Sequence, residues 1–259
     1  MEQQILTARQ FGSNAAQYLS STVHSTGVDL QRLAAIVAHT NTERTLDLGC
    51  GAGHASFALA RGGAREVVAY DLSPAMLAVV TTEALARGHA QVEVCQGPAE
   101  NLPFPSGSFD FVVSRYSAHH WLDMRRGIHE AARVLKTGGT LVIIDVIAPE
   151  SPLLDTVLQT LELLRDLSHV RNYRDSEWRA TLADAAFPEP ITHRWRLPME
   201  FPGWVARIGT SAARIDALQT VFDELPGEAR EYFSVGENRA GRPGSFSIDA
   251  GWFEVRKVS

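Results

Sequence analysis

The stretch TLDLGCGAGHASFALA, from Thr45 to Ala60, sets Gly49, Gly51 and Gly53 directly behind a short apolar run. A glycine-rich turn joining a strand to a helix belongs at the carboxyl edge of a parallel sheet, where backbone can approach a ligand closely. The next hundred residues agree with such a sheet. Apolar runs at Thr45–Leu48, Glu66–Tyr70, Gln91–Val94, Phe109–Ser114 and Thr140–Val146 alternate with helical stretches, the pattern of parallel strands covered on both faces. Ser73-Pro74 reads as an N-cap with a first-turn proline, Gly88 as the end of that helix, and Asp123 as the next cap. Gly138-Gly139 reads as the stop before the following strand.

The expected fold is therefore α/β: a doubly wound, Rossmann-like, mostly parallel sheet with helices on both faces, in one domain of 259 residues. A helical N-terminal lid occupies residues 1–44, the ligand-binding core residues 45–147, and C-terminal helical additions with the last strands residues 148–259. In that last part, helices are expected near Leu153–Leu167 and Ser176–Ala186 and a final strand over Ser245–Val258. Pro188, Pro190, Pro198 and Pro202 break the pattern between them.

A formal charge of −6 argues against nucleic acid, which is held mainly through phosphate contacts and calls for a basic face. Two cysteines, Cys50 and Cys95, are too few for a disulfide framework and read as reduced thiols of a cytoplasmic protein. The opening MEQQILTARQFGS lacks the apolar core of a signal peptide, and no apolar run approaches the ~20 residues of a membrane span.

A dinucleotide fingerprint reads G-x-G-x-x-G, and here His54 stands where its last glycine would fall. Asp47, on the strand just before the glycines, is the stronger clue. A carboxylate there repels a pyrophosphate and suits a ligand with a cationic ammonium group. S-adenosylmethionine, with an α-amino group, a sulfonium and no phosphate, is such a ligand. Asp71 ends the run VVAYD about 20 residues beyond the glycines, where an acid can accept hydrogen bonds from ribose hydroxyls. Dehydrogenases share that feature, and the same carboxylate could instead cap the helix at Ser73-Pro74.

The segments LDLGCGAG, YDLSPAML, PAENLPFPSGSFDFVVS and EAARVLKTGG follow in that order between Thr45 and Val146. Together they resemble the class I S-adenosylmethionine-dependent methyltransferases, in the branch that includes the ubiquinone and menaquinone C-methyltransferases. The flanking FGSNAAQYLSS, SRYSAHHW and LRDLSHVRNYRDSEW are similar to one bacterial subgroup of small-molecule methyltransferases. The resemblance implies cofactor contacts at Asp47, Gly49 and Gly51, ribose binding by Asp71, and adenine packing by Leu72 and Met76. It also implies an adenine edge held near Ala99 and Glu100, and S-adenosylhomocysteine as the product. Pro98 stands where many members carry an aspartate, so the adenine amino group needs another partner.

Methyl transfer from a sulfonium is an in-line displacement, favoured by holding acceptor and methyl at roughly 3–3.5 Å in a dry pocket. An oxygen or carbon acceptor also needs a proton removed. His119 and His120 follow the strand Phe109–Ser114 to the carboxyl edge of the sheet, which makes either a candidate general base. As an adjacent pair they lack metal-ligand spacing, and no metal is expected. Arg115 or Tyr116 would touch the methionine end or the acceptor, and Tyr18 would close over the cofactor from the N-terminal segment. His169, Arg171 and Tyr173 would line the acceptor pocket, with a surface pair to Asp175 or Glu177 as the second reading of Arg171. Trp121, Phe201, Trp204, Phe222 and Phe233 read as core. Three functions stay open: a methyltransferase of a small molecule; a nucleic-acid or protein methyltransferase; and a nicotinamide-dependent oxidoreductase or an S-adenosylmethionine-binding protein without catalysis.

Overall fold

Five apolar runs become five parallel strands: β1 (Arg44–Leu48), β2 (Glu66–Asp71), β3 (Val92–Gln96), β4 (Phe109–Arg115) and β5 (Leu135–Ala148). The structure is a computed structural model; it describes the chain except residues 1, 21–26, 41, 239–240 and 259, and except the side chains of residues 12–20. The remaining strands are β6 (Tyr173–Arg174), β7 (Ile191–Glu200), β8 (Gly236–Glu237) and β9 (Pro243–Arg256). They make one sheet in the order β3-β2-β1-β4-β5-β9-β7, with β6 beside β5 and β8 beside β9. Strand β9 runs antiparallel to both neighbours.

Parallel neighbours need crossovers, and helices supply most of them. The described helices are α1 (Glu2–Ser20), α2 (Val28–His39), α3 (His54–Arg61), α4 (Pro74–Ala86), α5 (Met124–Val134), α6 (Pro152–Arg165), α7 (Asp175–Asp184), α8 (Phe201–Ala206), α9 (Ala212–Asp223) and α10 (Gly227–Tyr232). Side chains alternate along each strand, so β2 sends Val68 and Tyr70 into the layer with α5 and α7, and Val67 and Ala69 into the layer with α2, α3 and α4. The sheet is thus covered on both faces. Ser73 and Asp123 cap α4 and α5, accepting from the backbone N–H of Met76 (3.4 Å) and Arg126 (2.9 Å).

Three local expectations are corrected. Gly138-Gly139 is not a helix stop: α5 ends at Val134, and both glycines lie inside β5, where the register against β4 slips between Phe109 and Phe111. The region of Pro188 to Pro202 is not patternless, because β7 runs through it with Pro198 opposite Ser247. β7 lies at the sheet edge, where a missing backbone N–H is tolerated. Finally, α2 is no part of a lid: Leu30, Leu33 and Val37 are buried against α3.

The C-terminal additions build a second apolar cluster at the far end of β5. Val146 and Ala148 of β5, Leu158 and Leu161 of α6, Phe201, Trp204, Phe222 and Phe233 pack there with Phe246 and Ile248 of β9. These four aromatics are core as expected, and so is Trp121, which packs in the layer with α5. A cavity remains between this cap and the carboxyl edge of the sheet.

Candidate functional site

The glycine turn between β1 and α3 forms one wall of a cleft at the carboxyl ends of β1, β2 and β4. Gly49 has φ 76, and a Cβ there would collide with the side chain of Ser117. Gly51 has φ 50, and a Cβ would meet nothing within 4 Å, so this backbone is open to a ligand. Asp47 is buried behind the turn: Ser56 Oγ donates to its Oδ2 (2.6 Å), while Oδ1 has no hydrogen-bond partner among the described residues. Burial pushes its pKa up to about 6. A buried carboxylate oxygen left unpaired is costly, and a cationic ammonium group is its natural complement. The residues therefore fit S-adenosylmethionine.

Asp71 closes the turn from β2, accepting from Gly51 N–H at Oδ2 and from Ser73 N–H at Oδ1, both at 2.8 Å. Both the helix-capping and the ligand-facing readings are compatible with this geometry, since the residue also lines the cleft. Burial raises its pKa, against the backbone N–H bonds that lower it. Leu72, Met76, Pro98, Ala99 and Glu100 line the same cleft. Glu100 is engaged by the backbone N–H groups of Leu122 (2.8 Å) and Asp123 (3.3 Å), and the Pro98 carbonyl accepts from Tyr70 Oη at 3.2 Å. Arg115 lines the compartment around Asp47 and is paired with Asp29 of α2 at 2.5 Å.

Helix α1 lies across the opening. Gln4, Thr7 and Phe11 line the cleft, Phe11 packs against Ala52 and Met76, and its ring meets His120 edge-on at 4.7 Å. The helix is tied down by Gln3 Nε2 to the Ser168 carbonyl (2.7 Å) and Gln10 Nε2 to the Ile208 carbonyl (2.6 Å). Tyr18, expected over the cofactor, has its side chain outside the described residues.

Phe11, Tyr116 and His120 line both the cleft and the cavity under the C-terminal cap, and so stand between them. Tyr116 follows β4 at φ 50, a strained conformation of the kind that gathers at binding sites. His119 lines the cavity, and its Nδ1–H donates to Asp145 Oδ1 at 2.6 Å. Asp145, buried near the end of β5, also accepts from the backbone N–H of Ala118 (2.9 Å) and Val146 (2.8 Å). Burial alone would depress His119, but Asp145, with Glu162 and Asp166 adding to it, outweighs burial and raises the pKa above the usual 6.5. His120 donates through Nδ1 to the Ser168 carbonyl (3.1 Å) and is pushed down to about 4 by burial and by His119. Burial pushes His169 down to about 2. His119, with Nδ1 engaged by Asp145, keeps Nε2 as its proton-accepting nitrogen.

The other expected acceptor residues stand elsewhere. His169 is buried beside the cavity wall, hydrogen-bonded to Gln159 Oε1 at 3.0 Å. Arg171 reaches Asp155 (2.9 Å) and Glu177 (3.3 Å), and Tyr173 packs on Trp178 at 5.7 Å. The cavity is lined instead by Asn172, Glu162, Arg165, Arg207 and an apolar wall of Val146, Leu197, Met199, Trp204 and Ile248. Asp145 could have been found as the one charge in the apolar run LVIIDVIA. Among the described residues no cluster suits a metal ion.

Residues 46–143 match the family model described as "Methyltransferase domain". The uncharacterised methyltransferase YcgJ of Bacillus subtilis is 37% identical over 240 residues, 93% of this chain and 94% of its own. Its crystal structure superposes with a TM-score of 0.84 at 36% identity, covering 90% of this chain and all of that one. The uncharacterised protein YafE of Escherichia coli is 46% identical over 65% of this chain and 82% of its own. A demethylmenaquinone methyltransferase of Clavibacter sepedonicus is 41% identical over 52% of this chain and 55% of its own.

Proposed function

We propose that this chain, which belongs to the methyltransferase-domain family and is an S-adenosylmethionine-dependent methyltransferase of the class I fold, methylates a small molecule held in the cavity beside His119. The observation that carries the reading is the pair of adjoining spaces. One is built from the glycine turn, Asp47 and Asp71; the other is a cavity with an apolar wall, lined also by His119, which is paired with Asp145. In the first, Asp47 Oδ1 would hold the α-ammonium and Asp71 the ribose hydroxyls, with Met76, Leu72 and Ala99 beside the adenine. When bound, the cofactor supplies an electrophilic methyl group on a sulfonium. The chain's own part is to position the acceptor, exclude water under α1 and the cap, and take the acceptor's proton at His119 Nε2, with Asp145 stabilising the resulting imidazolium.

A small acceptor is supported by the apolar wall, by the charge of −6, and by relatives that act on demethylmenaquinone. A nucleic-acid acceptor would call for a basic groove. Among the described residues no helix is long and apolar enough to cross a membrane, in keeping with a cytoplasmic enzyme on a diffusible substrate. Thermal melting tests the reading: S-adenosylhomocysteine should raise the midpoint, because a ligand of the folded state stabilises it, and NAD should not. No shift with millimolar S-adenosylhomocysteine would overturn it.

A further inference from the structure

Asn172 is 1% exposed, lines the cavity, and has no hydrogen-bond partner for either Oδ1 or Nδ2 among the described residues. A buried amide with both ends unpaired is expensive, and native structures keep few of them. Its backbone is fixed with care. Gln159 of α6 grips it from both sides, accepting from Asn172 N–H at Oε1 (3.0 Å) and donating from Nε2 to its carbonyl (2.8 Å). Gln159 is itself held by Asp155 (2.8 Å) and His169 (3.0 Å). The same segment is bound to the candidate base, since Val170 N–H (2.9 Å) and Arg171 N–H (3.2 Å) both donate to the His119 carbonyl. Asn172 is therefore positioned rigidly relative to His119, with its amide left for something else to satisfy.

What satisfies it must offer a donor to Oδ1 and an acceptor to Nδ2. The charged residues of the cavity are engaged already: Glu162 and Arg165 are paired with each other at 3.3 Å, and Arg207 is not free either. Among the described residues, none of the other buried side-chain atoms left without a hydrogen-bond partner, including Asp47 Oδ1, Asp166 Oδ2 and His169 Nδ1, belongs to a residue that lines the cavity.

We infer that Asn172 is the residue that recognises the acceptor, and that the acceptor carries a hydroxyl beside a carbonyl on one edge, so that donor and acceptor meet the amide together. A hydroxyl is favoured over a lactam N–H because its one proton, offered to Asn172 Oδ1 in the resting complex, can pass to His119 Nε2, on the same cavity, as its oxygen takes the methyl group. The inference rests on the cavity being the acceptor site of the methyl transfer.

A matched ring series tests it: 2-hydroxycyclopent-2-enone carries both functions, 2-pyrrolidinone is the lactam, and cyclopentanone and cyclopentanol carry one function each. Binding is measured by ligand-observed NMR on the full chain, with and without S-adenosylhomocysteine. The wild type should prefer the hydroxyenone over the single-function rings by about tenfold or more, and Asn172→Leu and Asn172→Ala should abolish the preference. The melting temperature of Asn172→Leu should be no lower than wild type, since an unpaired polar group is removed; a structural role would lower it. Loss of melting temperature with the ring preference intact, or no preference in the wild type, overturns the inference, and so does a stronger preference for the lactam. The shift with S-adenosylhomocysteine, read on the same samples, reports separately on the methyltransferase site: its presence alongside a failed ring series leaves that reading standing.

Discussion

Asp47 carries the most direct prediction at the scale of single residues. Burial raises its pKa to about 6, above the ~3.9 of an unfolded chain. The folded protein therefore binds the proton more tightly, and ligand-free stability falls as pH rises from about 4 to about 6. An ammonium group beside Oδ1 favours the ionised form. Affinity for S-adenosylhomocysteine should accordingly be full above pH 6 and weaken by up to about tenfold per unit below it. Calorimetric titration from about pH 5 to 8 reads this, and Asp47→Asn should flatten the profile; a flat wild-type profile would remove Asp47 from the ammonium's partners. His119 gives the kinetic counterpart. His119→Ala should cost about 10²–10⁴ in rate while the melting shift with S-adenosylhomocysteine persists. In Asp145→Asn the acidic limb of kcat/KM should move to lower pH, because the charge that raises His119 is gone; an unmoved limb would mean that another group titrates. Both acids of the proposed cofactor cleft were legible in the sequence because each lies at or next to the carboxyl end of an apolar strand. Asn172 was not, although its neighbours His169, Arg171 and Tyr173 were singled out. Adjacent residues entering a strand project to opposite sides, and nothing in SHVRNY tells which side meets the cavity.

Among elements, the described part of α1 is lightly held. None of residues 2–11 is buried, and its ties include three side-chain-to-backbone bonds, Gln3, Gln10 and Ser73 to Ala8, together with Phe11 on Met76 and His120. Segments with little buried apolar surface open at low free energy. The amides of Glu2–Ser20 should therefore exchange faster than those of α2, whose Leu30, Leu33 and Val37 are buried, and should slow on adding S-adenosylhomocysteine. Equal exchange at saturation would mean that the cover does not respond to the cofactor. The same scale shows where the sequence misleads. Pro198 looks like a strand breaker and is one in a central strand, but β7 has a partner on one side alone. Gly138-Gly139 looks like a helix stop because its φ-permissive pair sits near one; its place is a bulge in β5, where a Cβ on Gly139 would press on Leu135 and the Asp110 carbonyl. The parallel core was readable because its central runs are apolar on both faces; β3, at the edge, carries Glu93 and an exposed Val94 and was marked only by its place in the alternation. Edge position and register arise from tertiary pairing and leave no local mark.

On the scale of the whole molecule, β5 and β9 decide whether the cofactor core and the acceptor cap are one unit. Strand β5 gives Ile143 and Ile147 to the layer with α5, Val142 and Ile144 to the layer with α2 and α3, and Val146 and Ala148 to the cap. Strand β9 divides likewise, with Val255 and Phe253 in one layer, Trp252 in the other, and Ile248 and Phe246 in the cap. Neither half can open without exposing ends of the same two strands, which pair from Thr140↔Arg256 to Ile147↔Asp249. The expected outcome is a single calorimetric transition with equal calorimetric and van't Hoff enthalpies. S-adenosylhomocysteine, proposed to occupy the cleft at the carboxyl edge of the core rather than the cap, should at a hundredfold excess over Kd still move the entire transition. The gain is ~2.7 kcal/mol, or about 5 °C for a chain of this size. A shoulder left at the ligand-free midpoint would show that the cap melts alone. In that case acceptor binding and cofactor binding would be separate folding events, and Phe11, Tyr116 and His120, which line both spaces, would stand between two units that form independently.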